Sequence, residues 1–355
     1  MRDFHPLTVE SINRETRDSV RIALGVPEGL ADEYRFIPGQ HIPFEITVDG
    51  KKLRRTYSIC SVQDELPLEI GVRVQPGGVF SEFAANKLKV GDTLAAMPPT
   101  GRFHVELDPE QKKDYVGFAA GSGITPILSM IKSILTIEPN SRFILFYGNR
   151  KQSTTMFIED LYALKNLYPE RLQLNFVFSQ EEQEFEPMAG RLDTAKVIEL
   201  YRHFGKGLRV TDAFVCGPDS MIKDVTNALL ELGMKDSHIH AERFGVPRKS
   251  GKPAAQTAKA ADQSTITVIM DGHKQDFEMH RADNNIVDAA AANGIDLPYS
   301  CKGGVCATCR CHVRDGEVTM ATNYGLEPWE VKKGYVLACQ SRPVSDSVTL
   351  DYDKT

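Results

Sequence analysis

Cys301-Lys302-Gly303-Gly304-Val305-Cys306-Ala307-Thr308-Cys309 is the stretch on which the reading of this 355-residue chain turns. Three of its cysteines stand in a C-x4-C-x2-C pattern, and a fourth, Cys339, follows Cys309 with 29 residues between them. Plant-type [2Fe–2S] clusters are held by four thiolates at this spacing. Three ligands on one tight loop wrap a compact cluster, while the fourth arrives from a distant strand, expected here over residues 335–338. Gly303 and Gly304 let the loop turn sharply and aim N–H groups at the sulfurs. A structural zinc ion is the competing occupant. Zinc sites usually pair two short knuckles, however, and only one C-x2-C occurs here. The expected metal ligands are therefore Cys301, Cys306, Cys309 and Cys339. Cys311 alternates with Cys309 along the next strand and reads as a buried bystander able to replace a lost ligand.

The surroundings of the loop agree with metal ligation. The chain has seven cysteines, an odd number, and five fall in its last fifth. A disulfide scaffold would spread even numbers through a short secreted chain. Residues 264–355 hold 13 Asp/Glu and 9 Lys/Arg, a net of −4, which is much of the −6 of the whole chain. They begin with an expected hairpin, 265–270 turning at Asp271-Gly272, then a helix with Asp283 or Asn284 as N-cap and Gly294 as its stop. Residues 246–263 are small, polar and basic with almost nothing to bury, and read as a flexible linker.

Further upstream the pattern changes twice. Residues 1–108 alternate in short runs such as Val20–Leu24 and His41–Ile46, broken by Pro38-Gly39 and Asp49-Gly50, which suggests a small antiparallel β-barrel. Residues 109–245 alternate apolar strands (115–119, 143–147) with helix-period segments (127–135, 221–232). That implies an α/β domain with a parallel sheet, whose ligands sit at the carboxyl ends of the strands. The expected architecture is multidomain: barrel, nucleotide domain, linker, and a C-terminal segment over 264–355 that carries the cysteine loop.

Composition excludes little. Hydrophobic and charged fractions of 41% and 25% are ordinary, and the net negative charge argues against nucleic-acid binding. Met1-Arg2-Asp3-Phe4-His5-Pro6 has no apolar run behind its charge, and no stretch approaches a membrane span. A cytoplasmic location is expected.

Two glycine loops carry the cofactor expectation. Gly121-Ser122-Gly123-Ile124-Thr125-Pro126 follows a strand and opens a helix that Thr125 would cap, with Pro126 in its first position. Free N–H groups and the helix dipole then face a pyrophosphate, although the third glycine of a full dinucleotide fingerprint is replaced by Pro126. Arg150, after Tyr147-Gly148-Asn149, suits the 2′-phosphate of NADP and has no adjoining carboxylate, with Ser179 and Arg191 as further contacts. A solvated strand-end arginine is the bland alternative, and NADH stays open. In the barrel, Arg54–Ser58 ends a strand and Gly77-Gly78-Val79-Phe80-Ser81 precedes a helix expected near Glu82. Together they make a second anion site.

Taken together, these motifs resemble the ferredoxin–NADP reductase superfamily in its oxygenase-reductase form with a fused C-terminal ferredoxin. The likeness covers essentially the whole chain and implies that residues 264–355 form a C-terminal α+β β-grasp ferredoxin domain. It is sharpened by Tyr34-Arg35-Phe36-Ile37-Pro38-Gly39-Gln40-His41, Tyr147-Gly148-Asn149-Arg150 and the run Tyr299–Cys309. The resemblance implies FAD, with Arg55 at its pyrophosphate, Tyr57 against the isoalloxazine and Ser58 near N5. It implies Gly71, Val72 and Arg73 along the flavin, and Gly78, Val79 and Ser81 at the phosphate turn. FMN serves some fused members, but the glycine pair before a helix favours FAD. Gly121, Gly123 and Thr125 would cradle the nicotinamide nucleotide's pyrophosphate, and Cys216 with Gly217 would lie beside the nicotinamide. Glu242 and Phe244 would face the flavin from the other side, although here the chain continues past Phe244 into the linker instead of ending at an aromatic.

The implied activity is an NAD(P)H-dependent oxidoreductase. Hydride would reach the flavin near Ser58 and Cys216, and single electrons would pass to the cluster and out to a di-iron hydroxylase or epoxidase. The alternative is an NADH-dependent reductase of another oxygenase or of a hybrid-cluster protein. A bare electron-carrier module would leave both upstream glycine loops unexplained.

Overall fold

The computed structural model describes residues 3–48, 50–244, 263–280 and 283–354. The chain forms two compact units, one ending at Phe244 and the other following it. Apart from Gln263, the expected linker lies outside the described residues.

The first unit opens with six strands: β1 (His5–Thr16), β2 (Ser19–Gly25), β3 (His41–Val48), β4 (Lys51–Ser58), β5 (Leu68–Arg73) and β6 (Thr93–Ala96). They run antiparallel in the order β4-β3-β6-β1-β2-β5, and a bridge between Ile59 and Ile70 joins the two ends. The sheet thus curls into a barrel and leaves no free edge there. Inward residues Leu7, Val9, Ile22, Ile42, Phe44, Ile70 and Val72 fill it. Helix α1 (Val79–Asn86) begins three residues before the expected start, with Gly78 as its N-cap. Glu82 lies within its first turn, and its carboxylate accepts the Gly77 N–H at 2.8 Å.

The same unit continues as β7 (Asp114–Ala120), α2 (Ile124–Ile137), β8 (Arg142–Asn149), α3 (Ile158–Leu167), β9 (Leu172–Phe178), α4 (Thr194–Phe204), β10 (Val210–Gly217), α5 (Asp219–Glu231) and β11 (Ile239–Arg243). All five strands are parallel, in the order β11-β10-β7-β8-β9. The winding reverses between β7 and β10. Their carboxyl ends therefore open a crevice, the place where open α/β sheets bind ligands.

Helix α2 is buried nearly all round, the mark of a helix covered on both sides. Sheet residues cover one side. On the other, Ser129 donates to the Ser61 carbonyl at 2.8 Å and Ser133 accepts the Gln63 N–H at 2.9 Å. Thr125 is not the N-cap of α2. A 3-10 turn over Gly121–Gly123 leads in, Gly123 is the cap, and Thr125 sits inside the first turn donating to the Ser122 carbonyl. Pro126 is tolerated there because first-turn N–H groups need no helical partner.

The second unit contains β12 (Gln263–Met270), β13 (His273–His280), α6 (Ile286–Ala292), β14 (Arg310–Asp315), β15 (Val318–Met320), α7 (Pro328–Lys332), β16 (Tyr335–Leu337), β17 (Ser341–Pro343) and β18 (Ser347–Asp351). Its main sheet runs β13-β12-β18-β14-β16, with β12 and β18 parallel, and α6 packs against it. The expected hairpin turns at Asp271 and Gly272, both at positive φ, as a two-residue turn of this hand requires. The N-cap of α6 is Asn285, one residue past the expected candidates, and its side chain accepts the Asp288 N–H.

Candidate redox sites

A cleft of about 1410 Å³ follows the crevice of the first unit and is walled by both barrel and α/β residues. Gly121, Gly123, Arg73, Arg150, Ser179, Gly217 and Phe244 line it, as do Arg191, Arg14 and Arg17. The two halves meet closely. Arg73 pairs with Asp18 at 3.0 Å, and a Cβ on Gly121 (φ 54°) would come within 3.0 Å of its guanidinium. A Cβ on Gly123 would overlap the Cys216 carbonyl at 2.1 Å, so only glycine lets that loop lie on β10. A Cβ on Gly71 would strike Phe157 and Thr125 at 2.7 and 2.8 Å. The strand expected along the flavin thus supports the loop expected to hold pyrophosphate.

Ser58 donates to Glu242 at 3.3 Å, and the other oxygen of that carboxylate lies 3.6 Å from His41 Nδ1. Glu242 is the register partner of Cys216 across β10 and β11. Burial, then the Glu242 charge, push the Cys216 thiol well above its ordinary range, so it is a neutral S–H and no nucleophile. Ser58, Cys216 and Glu242 therefore form one cluster, which His41 joins. Tyr57 packs on Phe80 with ring centroids 4.9 Å apart. Ser81 donates to the Gly78 carbonyl and accepts the Gln75 N–H, closing the turn before α1. Arg55 is exposed and donates to the Arg54 carbonyl.

The halves are also joined by charge. Arg21 on β2 binds Glu15 at 2.6 Å and the carboxylate of Asp160 on α3, while Lys132 reaches Asp160 at 3.3 Å and Glu69 at 3.7 Å. The Arg21 guanidinium lies over the Phe157 ring.

In the second unit the four expected ligands come together as two pairs. Cys301 and Cys306 share a hydrogen bond, as do Cys309 and Cys339. The Cys306 thiol, opposed by burial and assisted by backbone N–H groups, holds the Cys301 thiol below its ordinary range. Gly303 and Cys306 N–H groups approach its sulfur at 3.3 and 3.4 Å, and Thr308 donates to the Cys306 sulfur at 3.1 Å. Cys339 follows β16 on a 3-10 turn, and the Ala338 N–H donates to the Cys309 carbonyl at 3.1 Å. Among the described residues no three or more His, Cys, Asp or Glu converge as a site for a single metal ion. Two thiol pairs, each beside N–H donors, suit two irons bridged by sulfide better than a tetrahedral zinc. Cys311 faces the core instead, with its thiol pushed up to about 12 by burial.

Comparison with known proteins gives this geometry a family. Residues 6–105 match an oxidoreductase FAD-binding domain, 118–227 an oxidoreductase NAD-binding domain, and 268–344 a 2Fe-2S iron-sulfur cluster binding domain. One component of the 1,2-phenylacetyl-CoA epoxidase of Escherichia coli is 44% identical over 99% of both chains. The chain belongs to the iron–sulfur flavoprotein reductases. A second such relative is the ferredoxin reductase component of the 3-ketosteroid-9-alpha-monooxygenase of Rhodococcus rhodochrous, 35% identical over 98% of this chain and 96% of its own. Phthalate dioxygenase reductase shares the fold over 98% of both chains with a TM-score of 0.62 at 21% identity. Like these reductases, the chain is an oxidoreductase that uses a nicotinamide nucleotide, FAD and a [2Fe–2S] cluster. No described helix is long and apolar enough to cross a membrane.

Sequence reasoning missed His41, Arg14 and Arg17. His41 carried a faint signal, since it ends the Pro-Gly-Gln-His string opposite Ser58 in the β3–β4 register. The two arginines lie in an exposed hairpin and look like any solvated charges.

Proposed function

We propose that the chain carries electrons from NADPH through FAD and the [2Fe–2S] cluster to a di-iron oxygenase that epoxidises phenylacetyl-CoA, in the cytoplasm. The observation that carries this reading is the 44% identity, end to end, with the epoxidase component. Flavin, when bound, converts a two-electron donor into a source of single electrons, and the protein supplies orientation and exclusion of water.

The roles of the chain's own residues follow from their placement. Gly121 and Gly123 lead into α2 and present N–H groups to a pyrophosphate. Arg150, Ser179 and Arg191 line the cleft. Among the described residues no ion pair neutralises either guanidinium, which favours a 2′-phosphate there. Arg55 and the Gly78–Ser81 turn would hold the flavin phosphates, with Val79 opening α1, and Gly71, Val72 and Tyr57 would flank the ring. Ser58 would fix the ring edge through Glu242, with Cys216 and Gly217 beside the nicotinamide and Phe244 covering the cleft. Cys301 with Cys306, and Cys309 with Cys339, would each hold one iron. Boundaries near 108, 245 and 263 divide these tasks among barrel, α/β domain, linker and ferredoxin.

A second reading, service to a steroid-type monooxygenase, is favoured by the 35% relative. Reconstituting turnover separates them: the purified reductase is combined with each candidate oxygenase and either NADPH or NADH. NADPH-driven epoxidation of phenylacetyl-CoA is the expected result. Coupling only to a steroid oxygenase, or preference for NADH, would overturn the corresponding part.

A further inference from the structure

Lys302 stands directly after the first ligand and is tied to three other parts of its unit. Its φ of 51° lies in the left-handed region, which non-glycine residues hold only when their surroundings fix it. One such constraint is the Gln340 amide, which donates to the Lys302 carbonyl at 3.0 Å. The same amide reaches the Cys339 carbonyl at 3.0 Å and the Cys339 sulfur at 3.7 Å. The Lys302 backbone is therefore stitched to the segment that brings the distant ligand.

The side chain is held as firmly. Its ammonium lies 2.6 Å from Asp288 Oδ1 and 4.1 Å from the centre of the Tyr299 ring. Asp288 is fixed in turn, because the Asn285 amide donates to its other oxygen at 2.7 Å. A cation that solvent would otherwise let wander is pinned beside the loop. Four thiolates and two sulfides around two ferric irons leave a net negative centre, which becomes more negative on gaining an electron. The ammonium offsets the Asp288 carboxylate, so removing it adds one net negative charge beside the loop and disfavours the reduced form. Charge and hydrogen bonding to sulfur are known levers on such potentials.

We propose that Lys302 is a positioning residue that sets the reduction potential of the cluster: its backbone closes the loop onto Gln340, and its anchored ammonium favours arrival of the electron. This rests on the reading of Cys301, Cys306, Cys309 and Cys339 as the cluster ligands.

The test uses the full-length holoprotein and the variants K302G, K302M and K302R. Glycine keeps the left-handed conformation without the charge, methionine keeps an unbranched stem, and arginine keeps the charge. Iron and sulfide content, the electron paramagnetic resonance of the reduced cluster and its midpoint potential are measured for each. K302G and K302M should keep full cluster content and spectrum. Their reduced-to-oxidised ratio at a fixed poise should fall about tenfold, a downward shift of about 59 mV for a one-electron couple. K302R should stay within about twofold of the parent protein on the same scale. Unchanged potentials in both uncharged variants would overturn the proposal. So would loss of iron from both, which would leave the lysine a purely structural part. Absence of iron and sulfide from the parent protein would instead refute the ligand assignment itself.

Discussion

Ser58 and Glu242 stand 184 residues apart and meet at 3.3 Å, joining the end of β4 in the barrel to β11 at the margin of the parallel sheet. One carboxylate thereby fixes a hydroxyl on the opposite wall of the site. Replacing Ser58 by alanine removes that link without disturbing the buried core. Displacement of reacting groups by about 1 Å costs on the order of a hundredfold in rate. Flavin reduction by NADPH, followed by stopped-flow absorbance at saturating NADPH, should slow by about that factor in S58A. A rate within twofold of the parent protein would remove Ser58 from the site.

The contact between Gly123 and Cys216 makes a second, structural prediction. A methyl group on Gly123 would have to displace backbone atoms of β10, whereas Gly29 has nothing within 4 Å. Overpacking of this kind costs about 1–3 kcal/mol. Gly123→Ala should lower the thermal midpoint of the first unit by several degrees and weaken nucleotide binding, while Gly29→Ala changes neither. Differential scanning calorimetry with and without NADPH distinguishes these outcomes.

Much of this was legible in the sequence, for a definable reason. The parallel strands β7 and β8 are continuous apolar runs because both faces of their sheet are covered, and Asp271-Gly272 marks its own turn. The cysteine spacing reports a cluster because ligation demands those residues whatever surrounds them. What escaped were partnerships between distant positions. Nothing local announces that His41 faces Glu242, or that Lys302 adopts a conformation usual for glycine. The helix starts slipped by one to three residues because neighbouring Asn, Asp, Thr and Gly residues all satisfy the same local rule. Geometry chose Asn285 and Gly123 from among them.

The Arg21–Asp160 pair gives stability a pH dependence with a definite sign. Burial raises the Asp160 pKa, but the Arg21 hydrogen bond and the charges of Lys132 and Arg21 outweigh it, so the carboxyl is held below its ordinary value. A depressed native pKa contributes stability that is complete above the unfolded value of about 3.9 and is lost as pH falls through the native one. Urea midpoints of the holoprotein should therefore be insensitive to this pair from pH 6 to about pH 5 and decline below about pH 4. Asp160→Asn leaves Arg21 incompletely paired, should cost about 3 kcal/mol at neutral pH, and should flatten the acid limb. An acid limb identical to the parent's would place the linkage elsewhere.

Cys306 and Cys311 lie five residues apart and should behave oppositely. Cys306 shares a hydrogen bond with Cys301, whereas Cys311 points into the core beside Val336. Cys306→Ser should abolish reduction of cytochrome c while NADPH still bleaches the flavin. Cys311→Ser should retain the cluster bands and at least half of that activity, with a modest loss of stability from a hydroxyl in an apolar place. Full cytochrome c reduction by the Cys306 variant would show that electrons leave the chain without passing through the thiol loop.

Arg150 and Arg191 test the choice of nucleotide most directly. Both line the end of the cleft reached by the ends of β8 and β9, where Ser179 continues the pairing by donating its N–H to the Asn149 carbonyl at 3.0 Å. A guanidinium bound to a phosphate contributes about 1.5–3 kcal/mol, or about ten- to a hundredfold in affinity. That contribution applies only to a nucleotide carrying the 2′-phosphate. Arg150→Ala should therefore raise KM for NADPH by roughly that factor, leave kcat nearly unchanged, and barely alter KM for NADH, because the contact is equal in ground and transition states. Equal losses with both nucleotides would mean that Arg150 touches a part common to them, such as the pyrophosphate, and the discrimination between NADPH and NADH would then have to come from Arg191 and Ser179.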